Sequence, residues 1–315
     1  MAYRLRRTDA SVEKAVRRIA LEQIDREIAK IERDEDRAEV IHDVRLCCKK
    51  MRGLVRLIRP AFSGYERENS DFRDTARLLS GSRDAKVLHD TFEMLVGHYA
   101  DEVDSFVLAS IRKGLDALGA IDSAAADPSL PLEKARERLL AARERAAHWK
   151  LDEGGWHALG PGLAKTYRRA CQAAGEARRH GNAIAYHDLR KRLKYHWYHT
   201  RLLKPLWPEV LEVRVGVGRQ ISDLLGLHHD LYVFEERVAQ NARVFASGLE
   251  TEVVESLCRR RRKELETRAW PLIGRMLAQS PAALEEYWGA LWTVWRETDD
   301  RSAAAAADSE AETED

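Results

Sequence analysis

The sequence predicts an all-α protein, a duplicated helical bundle built from two pseudo-symmetric halves. Three observations lead there. Apolar residues recur at helical spacing along most of the chain, no stretch alternates like a strand, and two blocks of sequence repeat in the same order. With 315 residues, 44% of them apolar, the chain is long enough to enclose a substantial core and is not a disordered polypeptide.

The first helix is read from Val12, Val16, Ile19, Gln23, Ile24, Ile28 and Ile31, which share one face. The residues before it are basic but lead into no apolar run of the kind a secretion signal needs, and no later run is long enough for a membrane span. The expectation is a cytoplasmic protein with no membrane partner. Cys47, Cys48, Cys171 and Cys258 have neither C-x-x-C spacing nor a histidine at ligand spacing, so reduced thiols are expected, with no metal and no cofactor.

The second helix carries the informative stretch, "IHDVRLCCKKMRGLVRLIRP" at 41–60. Ile41, Val44, Cys48, Met51, Val55 and Ile58 follow a 3,4,3,4,3 spacing, which is a core seam. One residue later the same spacing gives His42, Arg45, Lys49, Arg52, Arg56 and Arg59. One residue is about 100° of rotation, so a basic stripe borders the buried seam like the wall of a cleft. A solvated helix face normally mixes in acids, because opposite charges four residues apart help by ~0.2–0.5 kcal/mol and like charges hurt as much. Here no acid follows Asp43 until Glu66. Asp43 itself is read as a structural partner near the start of the helix.

The clearest break is at 118–135, where small residues and two prolines separate helical patterns. The expected organisation is a first repeat at 1–122, a linker at 123–131, a second repeat at 132–297, and a disordered acidic tail at 298–315. From Asp299 the tail holds seven acids and one base, so a chain of net charge +1 has a body of +7.

The second half restates the first. "YHDLRKRLKYHWYHTRLLKPLW" at 186–207 aligns on 41–62 without gaps, pairing His42 with His187, Asp43 with Asp188, Arg45 with Arg190, Lys49 with Lys194, Arg56 with Arg201 and Pro60 with Pro205. Downstream, "ARLLSGSRDAKVL" at 76–88 matches "SDLLGLHHDLYVF" at 222–234, pairing Asp84 with Asp230. After Asp188 no acid appears until Glu209, so the same bias is made twice. An anionic ligand between these helices is the simplest reason.

These paired "HDVR…K" and "HDLR…K" helices, each followed by an "LL…D" helix, resemble the conserved histidine α-helical domain (CHAD) family over about residues 8–297. The resemblance implies halves packed around a basic central channel that binds inorganic polyphosphate, with recruitment to polyphosphate granules and their associated proteins. It implies a binding set of His42, Arg45, Lys49, Arg52 and Arg56 from the first copy and His187, Arg190, Lys194 and Arg201 from the second. Trp197 departs from the pattern, standing where a base would answer Arg52, and His196 or Lys191 would have to compensate. Lys165 and Arg169, on one face of a later helix, are further candidates for the same channel.

The chemistry agrees. A linear polyphosphate carries roughly one charge per phosphate, its oxygens accept from Arg and Lys alike, and a helix of about twenty residues, ~30 Å long, can follow many of them. The protein is therefore expected to bind without catalysis. One alternative is a single-stranded nucleic-acid binder, for which Tyr195, Trp197 and Tyr198 offer stacking faces, but the first copy offers none between His42 and Arg59. The other is a metal-dependent phosphohydrolase, suggested by the His-Asp pairs at 42, 89, 187 and 229. "GPGLAKT" at 160–166 lacks the glycine before lysine that a phosphate loop needs.

Overall fold

Local signals set the helix ends. Ser11 Oγ accepts from the Lys14 N–H, Asp36 Oδ1 from Glu39 and Asn182 Oδ1 from Ala185, each capping a helix start. Gly181, at φ 61°, closes a helix in the left-handed conformation that glycine adopts freely. The computed structural model describes residues 3–33, 36–79, 84–124, 129–245 and 248–311. Among them the α-helices are α1 Val12–Glu32, α2 Arg37–Leu57, α3 Tyr65–Leu78, α4 Asp84–Tyr99, α5 Ser105–Ala124 and α6 Ser129–Ala147, followed by α7 Gly160–His180, α8 Ala183–Leu203, α9 Pro208–Gln240, α10 Gly248–Met276 and α11 Pro281–Ala311. Short 3-10 turns follow α2 at Arg59–Ala61 and α8 at Lys204–Leu206. The described residues contain no strand, as the periodicity predicts.

The seam of α2 is buried along its whole length, from Ile41 to Ile58, and it joins the main core with α1, α3, α6, α11 and parts of α7 and α8. A second core unites α4 and α5 with α9 and α10, and a third lies among α7, α8, α9 and α10. The packing therefore crosses the boundary read from the sequence. α6, assigned there largely to the second repeat, sets Ala135, Leu139, Ala142 and Ala146 into the main core against α1 and α3. Of the expected linker at 123–131, residues 125–128 lie outside the described residues, while its two ends are helical, in α5 and α6. α11 continues as helix to Ala311, into the segment expected as a disordered tail, where the alanines at 303–307 favour helix.

The element that positions the candidate site is the crossing of α2 and α8. A Cβ on Gly53 would stand 2.9 Å from Tyr198 Cβ, so the two backbones approach where the α2 glycine faces a tyrosine. The Arg56 guanidinium lies 4.1 Å from the Tyr195 ring centroid, while Lys50 is close enough to Arg201 to feel its charge. Partners on α8 thus descend from 201 to 195 as α2 ascends from 50 to 56, and the helices run antiparallel. Gly53 and Tyr198 hold the same place in the two aligned blocks. Tyr3, from the segment before α1, closes one side by donating to the Lys50 carbonyl at 2.6 Å.

Candidate functional site

The C-terminal half of the α2 stripe gathers the densest positive charge. The Arg52 Nε donates to Asn69 Oδ1 at 3.3 Å, and Arg56 donates to the same oxygen from Nη1. Both guanidinium groups lie over Tyr195 of α8, at 5.8 and 4.1 Å from its centroid. Arg59 follows in the 3-10 turn, stacked 5.3 Å from Tyr65. Burial pushes the Arg56 and Arg59 guanidinium groups below their usual value. Arg59 Nε and Nη2 and Arg56 Nε are enclosed without a hydrogen-bond partner. From α7, Lys165 reaches the same region: the charge on Arg59, then burial, then Arg169 hold its ammonium below the ordinary lysine value. Arg52, Arg56, Lys165 and Arg169 thus share one region around Arg59.

The N-terminal half of that stripe is divided. Arg45 Nη1 donates to the carbonyls of Leu79 at 2.8 Å and Ala76 at 3.4 Å, terminating α3, which gives it a structural task that spacing alone does not reveal. His42 is exposed and Lys49 half-buried. Asp43 pairs with Lys30 of α1.

On α8 the stripe faces α9. The His187 and His229 rings lie 4.0 Å apart at 34°. Burial, then Lys191 and Arg190, lower the pKa of His187, and burial, then His187, bring His229 down to about 4. Arg190 lies against Gly226 of α9, with Nη2 3.6 Å from where a Cβ would stand. Burial lowers its pKa while Asp230 opposes the shift. Lys194 is also lowered, by burial and then by Arg190. Asp188 bonds within its own helix to Lys191 at 3.3 Å and Arg192 at 3.2 Å.

Trp197 is explained by packing. Its Nε1 donates to the Val215 carbonyl at 3.0 Å, and its ring fills the space beside Gly218, where a Cβ would come within 2.6 Å. Arg201 sits over Trp197 at 4.9 Å and over Tyr3 at 5.8 Å. His196 does not compensate for the missing base. It is fully enclosed against Tyr167 and Trp288, accepts from Arg214, and is held neutral by burial. Lys191 is exposed and committed to Asp188.

Several cations elsewhere in the molecule are answered by acids. Arg18 pairs with Asp9 and Glu22, Arg145 with Glu68 and Asp71, Arg260 with Glu102, and Arg262 with Glu235. Among the described residues, Arg52, Arg56, Arg59, Lys165, Arg169, Arg190, Lys194 and Arg201 make no salt bridge. Also among the described residues, no group of three or more His, Cys, Asp or Glu is placed to hold a metal ion, and no helix is long and apolar enough to cross a membrane.

Sequence reasoning missed Tyr3 and Asn69, and met His229 only as part of a His-Asp pair, not as a member of the binding set. The "HHD" at 228–230, inside the second repeated block, was the available signal for His229. Tyr3 and Asn69 reach the stripe only through tertiary packing and carried no local signal.

Comparison with known proteins follows the same lines. The model of the CHAD domain matches residues 15–239. The crystal structure of the CHAD domain from the plant Ricinus communis superposes with a TM-score of 0.55 at 17% identity, covering 89% of this chain and 98% of that one, which shows a shared fold. No curated protein gives a significant match.

Proposed function

Because the chain belongs to the CHAD domain family, we propose that it is a non-catalytic receptor for inorganic polyphosphate, bound by the basic stripes of α2 and α8 with help from α7. The observation that supports this reading is the run of unpaired cations. Enclosing guanidinium nitrogens without acceptors is costly, and crowding like charges adds to the cost. A polyanion relieves both at once, since each phosphate offers several acceptor oxygens to Arg and Lys. Binding without turnover suits a cytoplasmic protein that tethers or scaffolds other components at polyphosphate granules.

The nucleic-acid alternative is weakened by what the aromatics are doing. Tyr195 is covered by Arg56, Trp197 packs on α9, and Tyr198 is buried. Base stacking needs an open ring face. The test is calorimetric titration of long-chain polyphosphate and of single-stranded RNA of equal charge at two salt concentrations. The expected result is polyphosphate binding at least about tenfold tighter, weakening with salt as counterions are released. Equal affinity would favour the nucleic-acid reading, and metal-dependent shortening of the polymer would favour a phosphohydrolase.

A further inference from the structure

The pairing of His187 with His229 lies at the edge of the proposed site and is not explained by packing alone. Each ring keeps its Nδ1 enclosed with no hydrogen-bond partner. An enclosed imidazole nitrogen ordinarily finds a carbonyl, a carboxylate or water. The rings instead stack on one another at 4.0 Å.

Their surroundings are cationic. On α8, Lys191 and Arg190 both bear on His187, with Asp188 as the opposing charge. Asp188 is already held by Lys191 and Arg192. On α9, His228 bears on His229, but its Nε2 is bonded at 3.2 Å to Glu266 of α10. Asp230 acts on Arg190. Two imidazolium ions at this separation, with Arg190 and Lys191 beside them, repel one another strongly. The unliganded pair is therefore neutral, and only an added anion changes the balance.

We infer that His187 and His229 act together as a proton-taking anion receptor, making His229 a ligand-binding residue and coupling polyanion binding to uptake of protons at the α8–α9 wall. This rests on the proposed polyphosphate reading and deepens it. A bound phosphate oxygen accepts from one or both rings once they are protonated. Each proton comes from solvent and resides on an imidazole nitrogen. The sign follows directly: both groups start low in the free protein and are raised by the ligand. Affinity therefore rises as pH falls toward the free-state values and declines as pH rises through the bound-state values. One linked proton changes the affinity by about tenfold per pH unit across that window, and two by up to about a hundredfold.

The experiment is calorimetric titration of the full chain with long-chain polyphosphate at several pH values between about 5 and 8, in buffers of different ionisation enthalpy. Long chains keep the titratable terminal phosphates few. Wild type, His229→Asn, His187→Asn and the double variant are compared, with circular dichroism confirming the fold of each. The expected result is net proton uptake by wild type that falls in either single variant and disappears in the double variant, with the pH dependence of affinity flattening in parallel. Tight binding by wild type with no proton uptake, or uptake unchanged in His229→Asn, would overturn the inference while leaving the polyphosphate reading intact. Absence of polyphosphate binding at every pH would overturn both.

Discussion

His199 is completely enclosed at the crossing of α2 and α8, with Nε2 3.0 Å from the Gly53 carbonyl oxygen, to which it donates. Burial pushes its pKa down to about 3, and burial lowers His196 as well. Both are therefore neutral in the fold, and in the unfolded chain both protonate near the ordinary histidine value of about 6.5. Their contribution to stability is fully present above that value and is lost as pH falls below it, by up to about 1.4 kcal/mol per pH unit for each histidine. Urea unfolding at neutral pH and at about pH 5 should show this fall, with a smaller fall in His199→Gln; a midpoint independent of pH would contradict it. Gly162 makes a comparable steric demand, since a Cβ there would lie 1.8 Å from the Leu57 carbonyl oxygen at the end of α2. Gly162→Ala should cost about 3 kcal/mol or more, read as a lower denaturation midpoint, because backbone and not a flexible side chain must move.

At the scale of single helices, two lysine and arginine positions that looked alike in the sequence have opposite energetics. Arg45 holds the last carbonyls of α3, so Arg45→Ala should destabilise the fold by about 1–2 kcal/mol whether or not ligand is present. Lys194 is half-buried and makes no salt bridge among the described residues. Lys194→Met should leave stability unchanged or raise it by about 1 kcal/mol, while weakening polyphosphate binding. Denaturation and titration of the two variants side by side check the contrast. If Lys194→Met destabilised the fold as Arg45→Ala does, Lys194 would be structural. The seam and stripe of α2 were legible because helical spacing projects directly onto a helix face. Which stripe residues remain available was not legible, because Arg45 meets α3, Trp197 meets α9 and His196 meets α7 and α11 only after folding.

Across the whole molecule, the all-α architecture and the family resemblance followed from two repeated blocks and an almost unbroken helical period. The packing partners of α6 did not. The small residues of α6 say that it packs closely, but only the tertiary arrangement shows that α1 and α3 receive it. Charge shows the same division. Net charge is +1, yet among the described residues Arg52, Arg56, Lys165, Arg169, Arg190, Lys194 and Arg201 of α2, α7 and α8 make no salt bridge, while the cations of α10 are largely paired with glutamates. A polyanion should therefore distinguish the two surfaces. The most direct measurement compares polyphosphate affinity of Lys165→Glu/Arg169→Glu with that of Arg259→Glu/Lys263→Glu, two variants with the same change in net charge at mostly exposed positions. A loss of at least about tenfold in the α7 variant, with little change in the α10 variant, is the expected result. Equal losses would mean that the polymer responds to net charge alone, contradicting a built site at the crossing of α2 and α8.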